Sequence, residues 1–213
     1  MVAIGKRCGR RVTAIISDMD TPLGKNIGNA LEVAEATELL KGDGPKDLRE
    51  ICIELASEMA SSALGITKDE AKVRAIESLD SGKAYAKFLE WIEAQGGDTK
   101  VALDTSLLPK AAYTLDVRAQ EDGYISKVNA EALGTVALNL GAGRRTKEEV
   151  IDPAAGIILK KKTGDKIEKG DVIATLFTNR ADTLTSANDA FLNAMTVTAD
   201  EPKARPLIHR IIR

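Results

Sequence analysis

The most suggestive chemical motif in this chain is a segment rich in glycine and arginine. Gly141-Ala142-Gly143 is followed directly by Arg144 and Arg145. Glycine N–H groups and arginine side chains suit a phosphate group. No Lys-Ser or Lys-Thr follows, as a Walker A loop requires, and the spacing does not fit the dinucleotide-binding fingerprint. The segment is either an anion-binding loop or a glycine that ends a helix, followed by solvated arginines.

Nucleophiles and general bases are scarce. His209 is the only histidine and lies in the C-terminal tail, so no histidine relay is expected in an active cleft. Cys8 and Cys52 lack metal-binding or CxxC spacing, which argues against a zinc site or a disulfide framework. Cys52 shares a helical stripe with Ile51 and Leu55, and this spacing predicts that its thiol is buried. The residues by themselves offer no catalytic machinery.

Two Gly-Asp turns, Gly164-Asp165 and Gly170-Asp171, flank a short alternating strand. Together with the upstream Gly123-Tyr124-Ile125 they resemble the architecture of biotinyl and lipoyl carrier domains, whose hairpin-tip lysine takes the cofactor. The corresponding connection here is the long 130–152 segment, which has a helix of its own. The resemblance implies a barrel-sandwich type of β module, with a cofactor-carrying role as one alternative.

The elements before this module predict part of an α/β domain. Residues 12–17 are apolar and β-branched and end at Asp18-Met19-Asp20, as a buried parallel strand does before its C-terminal loop. Residues 1–6 are typical of the end of a helix, and apolar spacing predicts four more helices after the strand. A single parallel strand would leave its backbone groups unpaired, so its neighbours are expected in another chain or a preceding segment.

The rest of the chain predicts a different architecture. Short strands are expected at 113–118, 123–128 and 156–160, with a helix over 130–140 and a capping box at Thr146-Lys147-Glu148-Glu149. The predicted fold class is therefore α/β plus α+β. Residues 1–107 form the C-terminal part of a parallel-sheet α/β domain, 108–180 a β-rich module, and 181–213 a C-terminal helix and tail.

Charge and hydropathy exclude several classes of partner. Lys and Arg number 30 against 32 Asp and Glu, a formal net charge of -2, so no overall positive field attracts nucleic acid or anionic lipid. No apolar run is long enough to span a membrane, and residues 1–11 lack the apolar core of a signal peptide. A cytoplasmic protein with no nucleic-acid or membrane partner is expected.

Several segments, taken in order over nearly the whole chain, resemble the C-terminal half of the pyrimidine-nucleoside phosphorylases, the family that includes thymidine phosphorylase. Each segment is common alone, and the combination is specific. The segments are Asp18-Met19-Asp20-Thr21-Pro22-Leu23-Gly24, Gly28-Asn29-Ala30-Leu31-Glu32-Val33, Glu35-Ala36, Leu108-Pro109-Lys110-Ala111-Ala112-Tyr113, Gly123-Tyr124-Ile125, Leu140-Gly141-Ala142-Gly143-Arg144, Ile151-Asp152 and Gly156-Ile157.

The resemblance implies phosphorolysis of uridine, thymidine or deoxyuridine. Inorganic phosphate displaces the base from the anomeric carbon, giving a free pyrimidine and a ribose or deoxyribose 1-phosphate, in an enzyme expected to be a homodimer. The family's phosphate and base contacts come from segments upstream of what corresponds to Met1. No catalytic or substrate-binding residue of the family falls within this chain, which is expected to be inactive alone.

One family site does fall within the chain. The resemblance implies a potassium ion held by the backbone carbonyls of Leu23 and Asn26 and by the carboxylate of Glu35. Relatives often have a small residue where Asn26 stands, which matters little for a carbonyl ligand. The family's other two ligands, a glycine and a threonine, lie outside this chain. The alternative is a solvated Glu35 beside a plain turn.

Other functions remain open at this point. The chain could be a non-catalytic scaffold module. It could also belong to a relative that acts on purine nucleotides, such as the archaeal AMP phosphorylases, or to the structurally related anthranilate phosphoribosyltransferases. The residues that discriminate among these enzymes are expected outside the chain.

Overall fold

A computed structural model describes residues 1–213, which divide into two compact units. The first comprises residues 1–18, 38–99 and 205–213, and the second comprises 19–37 and 100–204. No helix has the length and apolar character needed to cross a membrane. The helices are α1 Val2–Arg7, α2 Asn29–Leu40, α3 Lys46–Leu64, α4 Lys68–Asp80, α5 Lys83–Ala94, α6 Lys100–Leu103, α7 Ala130–Ala137 and α8 Leu184–Asn193. The strands are β1 Ala14–Ser17, β2 Asn26–Ile27, β3 Tyr113–Arg118, β4 Gly123–Val128, β5 Gly156–Leu159, β6 Lys166–Ile167, β7 Val172–Thr178, β8 Met195–Thr198 and β9 Ile208–Ile212.

Local sequence signals explain where two of the helices in the first unit begin or end. The Thr67 hydroxyl accepts a hydrogen bond from the Glu70 N–H at 3.2 Å, which caps α4. Gly65 ends α3 in the left-handed conformation, at a φ of 70°. This unit nevertheless buries few large side chains. Its buried apolar residues are Leu39, Ile51, Ala71 and Leu79.

The prediction for the first strand is right in position and wrong in pairing. β1 pairs antiparallel with β9, in the register Ala14 to Ile212. The expectation of a buried parallel strand with no partner in this chain is wrong, because the isoleucine-rich C-terminal tail forms a strand beside it. Ile16 is 46% exposed, so the strand is not fully buried either. Local sequence cannot reveal a pairing between opposite ends of a chain.

The second unit contains two antiparallel sheets, with strand orders β2-β5-β7-β3 and β6-β4-β8. The strands predicted at 113–118, 123–128 and 156–160 are confirmed, as is the helix that follows residue 130. The sheets and helices α7 and α8 enclose one apolar core. Its largest fully buried side chains include Phe191, Ile125, Leu133, Leu140, Ile157, Leu159, Ile167, Ile173 and Leu176.

The capping box predicted at residues 146–149 does not start a helix, so that prediction is wrong. These residues form an exposed turn. The Glu149 carboxylate accepts a hydrogen bond from the Arg145 N–H at 2.7 Å instead of capping a helix. The segment has no apolar stripe to pack against the core, and capping alone does not stabilise so short a helix.

Candidate cation-binding loop

The loop between Met19 and β2 leads directly into helix α2, which carries Glu35. Gly24 has a φ of 69°, a conformation that favours glycine. Gly28 precedes α2 at a φ of 136°, where a Cβ would lie 2.4 Å from the Ala155 carbonyl oxygen. The two glycines therefore permit a sharp loop and the close approach of the chain to the strand that begins at Gly156.

The Glu35 carboxylate is turned towards this loop. Its Oε1 accepts a hydrogen bond from the Lys25 N–H at 2.8 Å, and its Oε2 accepts one from the Asn26 N–H at 3.4 Å. A Cβ on Gly24 would lie only 2.2 Å from Oε2, so the carboxylate lies directly against that glycine. Glu35 is thus half-buried and bonded to the loop backbone, unlike the solvated helix residue of the alternative interpretation.

The backbone of Asn26 faces the same carboxylate. The Lys25 carbonyl accepts a hydrogen bond from the Leu159 N–H at 2.8 Å, within the pairing of β2 and β5. Because successive residues of a strand direct their N–H and C=O groups to opposite edges, the Asn26 carbonyl points away from β5. β2 is the edge strand of its sheet, so that carbonyl is directed to the open edge, from which the Asn26 N–H reaches Glu35. Leu23 is 41% exposed, and because its side chain has no ligand atom, only its backbone carbonyl could bind a cation.

A carboxylate and backbone carbonyls suit a hard cation bound through oxygen. The chain has no cluster of three or more His, Cys, Asp and Glu side chains that could hold a metal ion. A single carboxylate with neutral carbonyl oxygens is a donor set suited to a hard cation of low charge and unsuited to a zinc-type site.

Sequence reasoning missed one residue of this loop. The Lys162 ammonium group donates a hydrogen bond to the Gly24 carbonyl at 2.6 Å. Lys162 is the last of three consecutive lysines, and nothing in the local sequence distinguishes it from the other two. A contact between residues this far apart in the chain becomes visible only in the tertiary structure.

The glycine- and arginine-rich segment ends a helix. α7 continues into a π-helical turn over Leu138–Ala142, and Gly141 within it has a φ of 118°. The Gly141 carbonyl accepts a hydrogen bond from the Asp152 N–H at 2.9 Å, and the Arg145 guanidinium donates to the Asn139 side chain. These contacts favour the helix-ending interpretation of the glycine over the anion-binding loop.

The prediction that Cys52 is buried is wrong. Cys52 is exposed, and it lines an open apolar cavity of about 370 Å³ together with Ile53 and Ala56 of α3. The side chains of Leu55 and Met59 are 42% and 66% exposed, so the apolar stripe of α3 is wider than the face that packs. Partial burial against the cavity wall still raises the pKa of the Cys52 thiol.

Within the first unit, a cluster of charged side chains joins α3, α4 and the C-terminus. Glu58 is 7% exposed and forms ion pairs with Lys68, at 2.9 Å, and with Arg213. Burial alone would raise the pKa of Glu58, but the hydrogen bonds and charges of Lys68 and Arg213 outweigh it and lower that pKa. Lys68 also pairs with Glu54, and its own pKa is raised. This cluster is a structural ion network that ties the C-terminal residue to α3.

Comparison with known proteins adds to this geometry. A family model described as the pyrimidine nucleoside phosphorylase C-terminal domain matches residues 124–198. The chain is similar to the pyrimidine-nucleoside phosphorylase of Bacillus subtilis strain 168, with 47% identity over 213 residues that cover 100% of this chain and 49% of that protein. It is 48% identical over 181 residues to the enzyme of that name from Geobacillus stearothermophilus, covering 84% of this chain and 42% of the relative. The chain spans about half the length of the curated relatives it matches.

Proposed function

Because this chain belongs to the pyrimidine-nucleoside phosphorylase family, we propose that it is the C-terminal half of an enzyme that phosphorolyses pyrimidine nucleosides. The complete enzyme would transfer the pentose of uridine, thymidine or deoxyuridine to inorganic phosphate, as a cytoplasmic homodimer. Similarity at 44% to 48% identity to relatives of that name carries the proposal. Those names favour a nucleoside substrate over the purine nucleotide and anthranilate alternatives.

The proposed role of this chain is to complete the enzyme and to supply a cation-binding loop. Residues 1–107 would belong to the catalytic α/β domain, and residues 108–180 would form a β module of barrel-sandwich type. The carbonyls of Leu23 and Asn26 and the carboxylate of Glu35 would hold a potassium ion. That ion would supply a fixed positive charge that organises the loop, without acting on the substrate.

The half-chain proposal is tested by complementation. The purified chain is assayed for release of uracil from uridine in phosphate buffer, alone and mixed with a polypeptide that spans the other half of the Bacillus subtilis relative. We expect no turnover above background from either polypeptide alone and measurable turnover from the mixture. Turnover by this chain alone would overturn the proposal, because it would require a catalytic site within residues 1–213.

The cation proposal needs a variant of its own. In the active mixture, Glu35→Gln keeps the size of the side chain and removes its charge, so we expect the stimulation of turnover by KCl over choline chloride to fall. Glu32→Gln is the matched control. Glu32 lies on the same helix and accepts a hydrogen bond from the Gly28 N–H at 3.1 Å, outside the 23–26 segment. Equal potassium dependence in both variants would refute a role for Glu35 as a ligand.

A further inference from the structure

Two oppositely charged side chains hold Gly24. The Lys162 ammonium group binds the Gly24 carbonyl at 2.6 Å, and the Glu35 carboxylate lies against the Gly24 α-carbon while it accepts hydrogen bonds from Lys25 and Asn26. The two charges are therefore neighbours across a single buried residue. A bound monovalent cation in this loop would meet the same carboxylate and the same run of backbone oxygens.

Lys162 is presented to the loop by a well-defined turn. Its N–H donates to the Asp165 carboxylate at 2.7 Å, and the Gly164 N–H donates to the Ile125 carbonyl at 2.8 Å. The strand before this turn is joined to the loop through the 2.8 Å hydrogen bond between Leu159 N–H and the Lys25 carbonyl. Since both ends of the contact are fixed by backbone bonds, the entropy cost that remains is that of ordering the Lys162 side chain.

We propose that Lys162 is a built-in cation for this loop. Its ammonium group balances Glu35 and fixes the Gly24 carbonyl, so the loop keeps its conformation when no potassium ion is bound. An ammonium group and a potassium ion are both monovalent cations that bind carbonyl and carboxylate oxygens. The ammonium group can therefore replace some of the contacts that the potassium ion would make with the loop. The positive charge of Lys162 also lowers the affinity of the loop for potassium. The inference rests on the proposed cation site and extends it.

The test is hydrogen exchange in the full chain, measured by mass spectrometry on peptides that cover residues 20–30. Lys162→Met removes the charge and keeps most of the length of the side chain. Lys161→Met is the matched control, because the Lys161 ammonium group donates to the Lys166 carbonyl at 3.0 Å and lies 3.8 Å from Asp171. Lys162→Arg keeps the charge. Each protein is measured in KCl and in choline chloride at equal ionic strength.

In choline chloride, we expect exchange in this segment to be about tenfold faster for Lys162→Met than for the unsubstituted chain, since a hydrogen bond from a charged group is lost. Lys161→Met should match the unsubstituted chain, and Lys162→Arg should restore at least part of the protection. In KCl, potassium should slow the exchange of Lys162→Met and leave the unsubstituted chain nearly unchanged. Exchange of β7, which lies in the core, serves as the reference for intact folding.

The measurements in choline chloride and in KCl test the role of Lys162 and the potassium site separately. Unchanged exchange of Lys162→Met in choline chloride would overturn the inference, whatever happens in KCl. Faster exchange there without rescue by KCl would sustain the role of Lys162 and refute potassium binding by this chain's three ligands alone; the site of the complete enzyme is tested separately, by the potassium dependence of Glu35→Gln in the active mixture. Strong potassium dependence of exchange in the unsubstituted chain measured alone would also overturn the inference, since Lys162 should hold the loop when the ligands of the other half are absent.

Discussion

Replacing Gly24 by alanine should disrupt the loop more than its backbone conformation alone explains. The φ of Gly24 is 69°, and a Cβ there would lie 2.2 Å from Glu35 Oε2. The methyl group would push the carboxylate away from the loop. The hydrogen bond from the Lys25 N–H, at 2.8 Å, and the longer one from Asn26 would then be lost or weakened.

The expected loss of stability in Gly24→Ala is the sum of two costs in free energy. A left-handed conformation costs a residue other than glycine about 1 kcal/mol. Loss of a hydrogen bond to a carboxylate adds about 2 kcal/mol. We therefore expect Gly24→Ala to destabilise the loop by about 3 kcal/mol. Gly65→Ala is the matched control, because the φ of Gly65 is 70° and a Cβ there would have no other atom within 4 Å.

The assay combines hydrogen exchange over residues 20–30 with urea unfolding of the full chain. Gly65→Ala should show only the cost of the left-handed conformation, about 1 kcal/mol in the free energy of unfolding measured in urea. The remaining difference of about 2 kcal/mol corresponds to roughly 30-fold in the equilibrium constant for opening the 20–30 segment. In a double-mutant cycle, Glu35→Gln should reduce the effect of Gly24→Ala, because the displaced charge is already gone. Costs for the two glycine variants within about 0.5 kcal/mol of each other, or strict additivity in the cycle, would refute the reasoning.

Three further predictions concern the ion network, the core and the thiols. The lowered pKa of Glu58 means that its contribution to stability is present above the ordinary glutamate pKa and is lost as the pH falls through the folded-state value. The urea midpoint followed by Trp91 fluorescence should therefore fall in acid, and Glu58→Gln should flatten that pH dependence. Parallel plots of urea midpoint against pH for the two proteins would contradict a role for Glu58. Phe191 is 1% exposed, so Phe191→Ala should cost about 3–4 kcal/mol by urea unfolding, whereas Val150→Ala, at a residue 92% exposed, should cost less than about 0.5 kcal/mol. A thiol reagent applied to the native chain should label Cys52, though more slowly than Cys8, because partial burial raises the pKa of the Cys52 thiol; complete protection of Cys52 would contradict its exposure.

Local sequence determined several helix limits and strands. The Thr67 side chain caps α4, Gly65 ends α3, and turn residues bound the strands of the second unit, because these signals act over three or four residues. The same locality explains the errors. The residues at 146–149 match a capping box, yet a cap has no helix to stabilise where no apolar face packs.

The residues of the candidate site were also predictable only in part. The family resemblance placed Leu23, Asn26 and Glu35 in one loop and helix, and the structure turns the Glu35 carboxylate onto that loop. The resemblance could not predict Lys162, whose contact with Gly24 spans 138 residues of sequence.

Tertiary structure alone decided which faces and which distant segments meet. The apolar spacing of α3 predicted a buried Cys52, but packing against α4 buries a narrower face that includes Ile51 and Glu58. The pairing of β1 with β9 joins the two ends of the chain, and neither strand carries a signal for its partner. Periodicity within a segment reports which residues can share a face, whereas the partner of that face depends on the free energy of the whole fold.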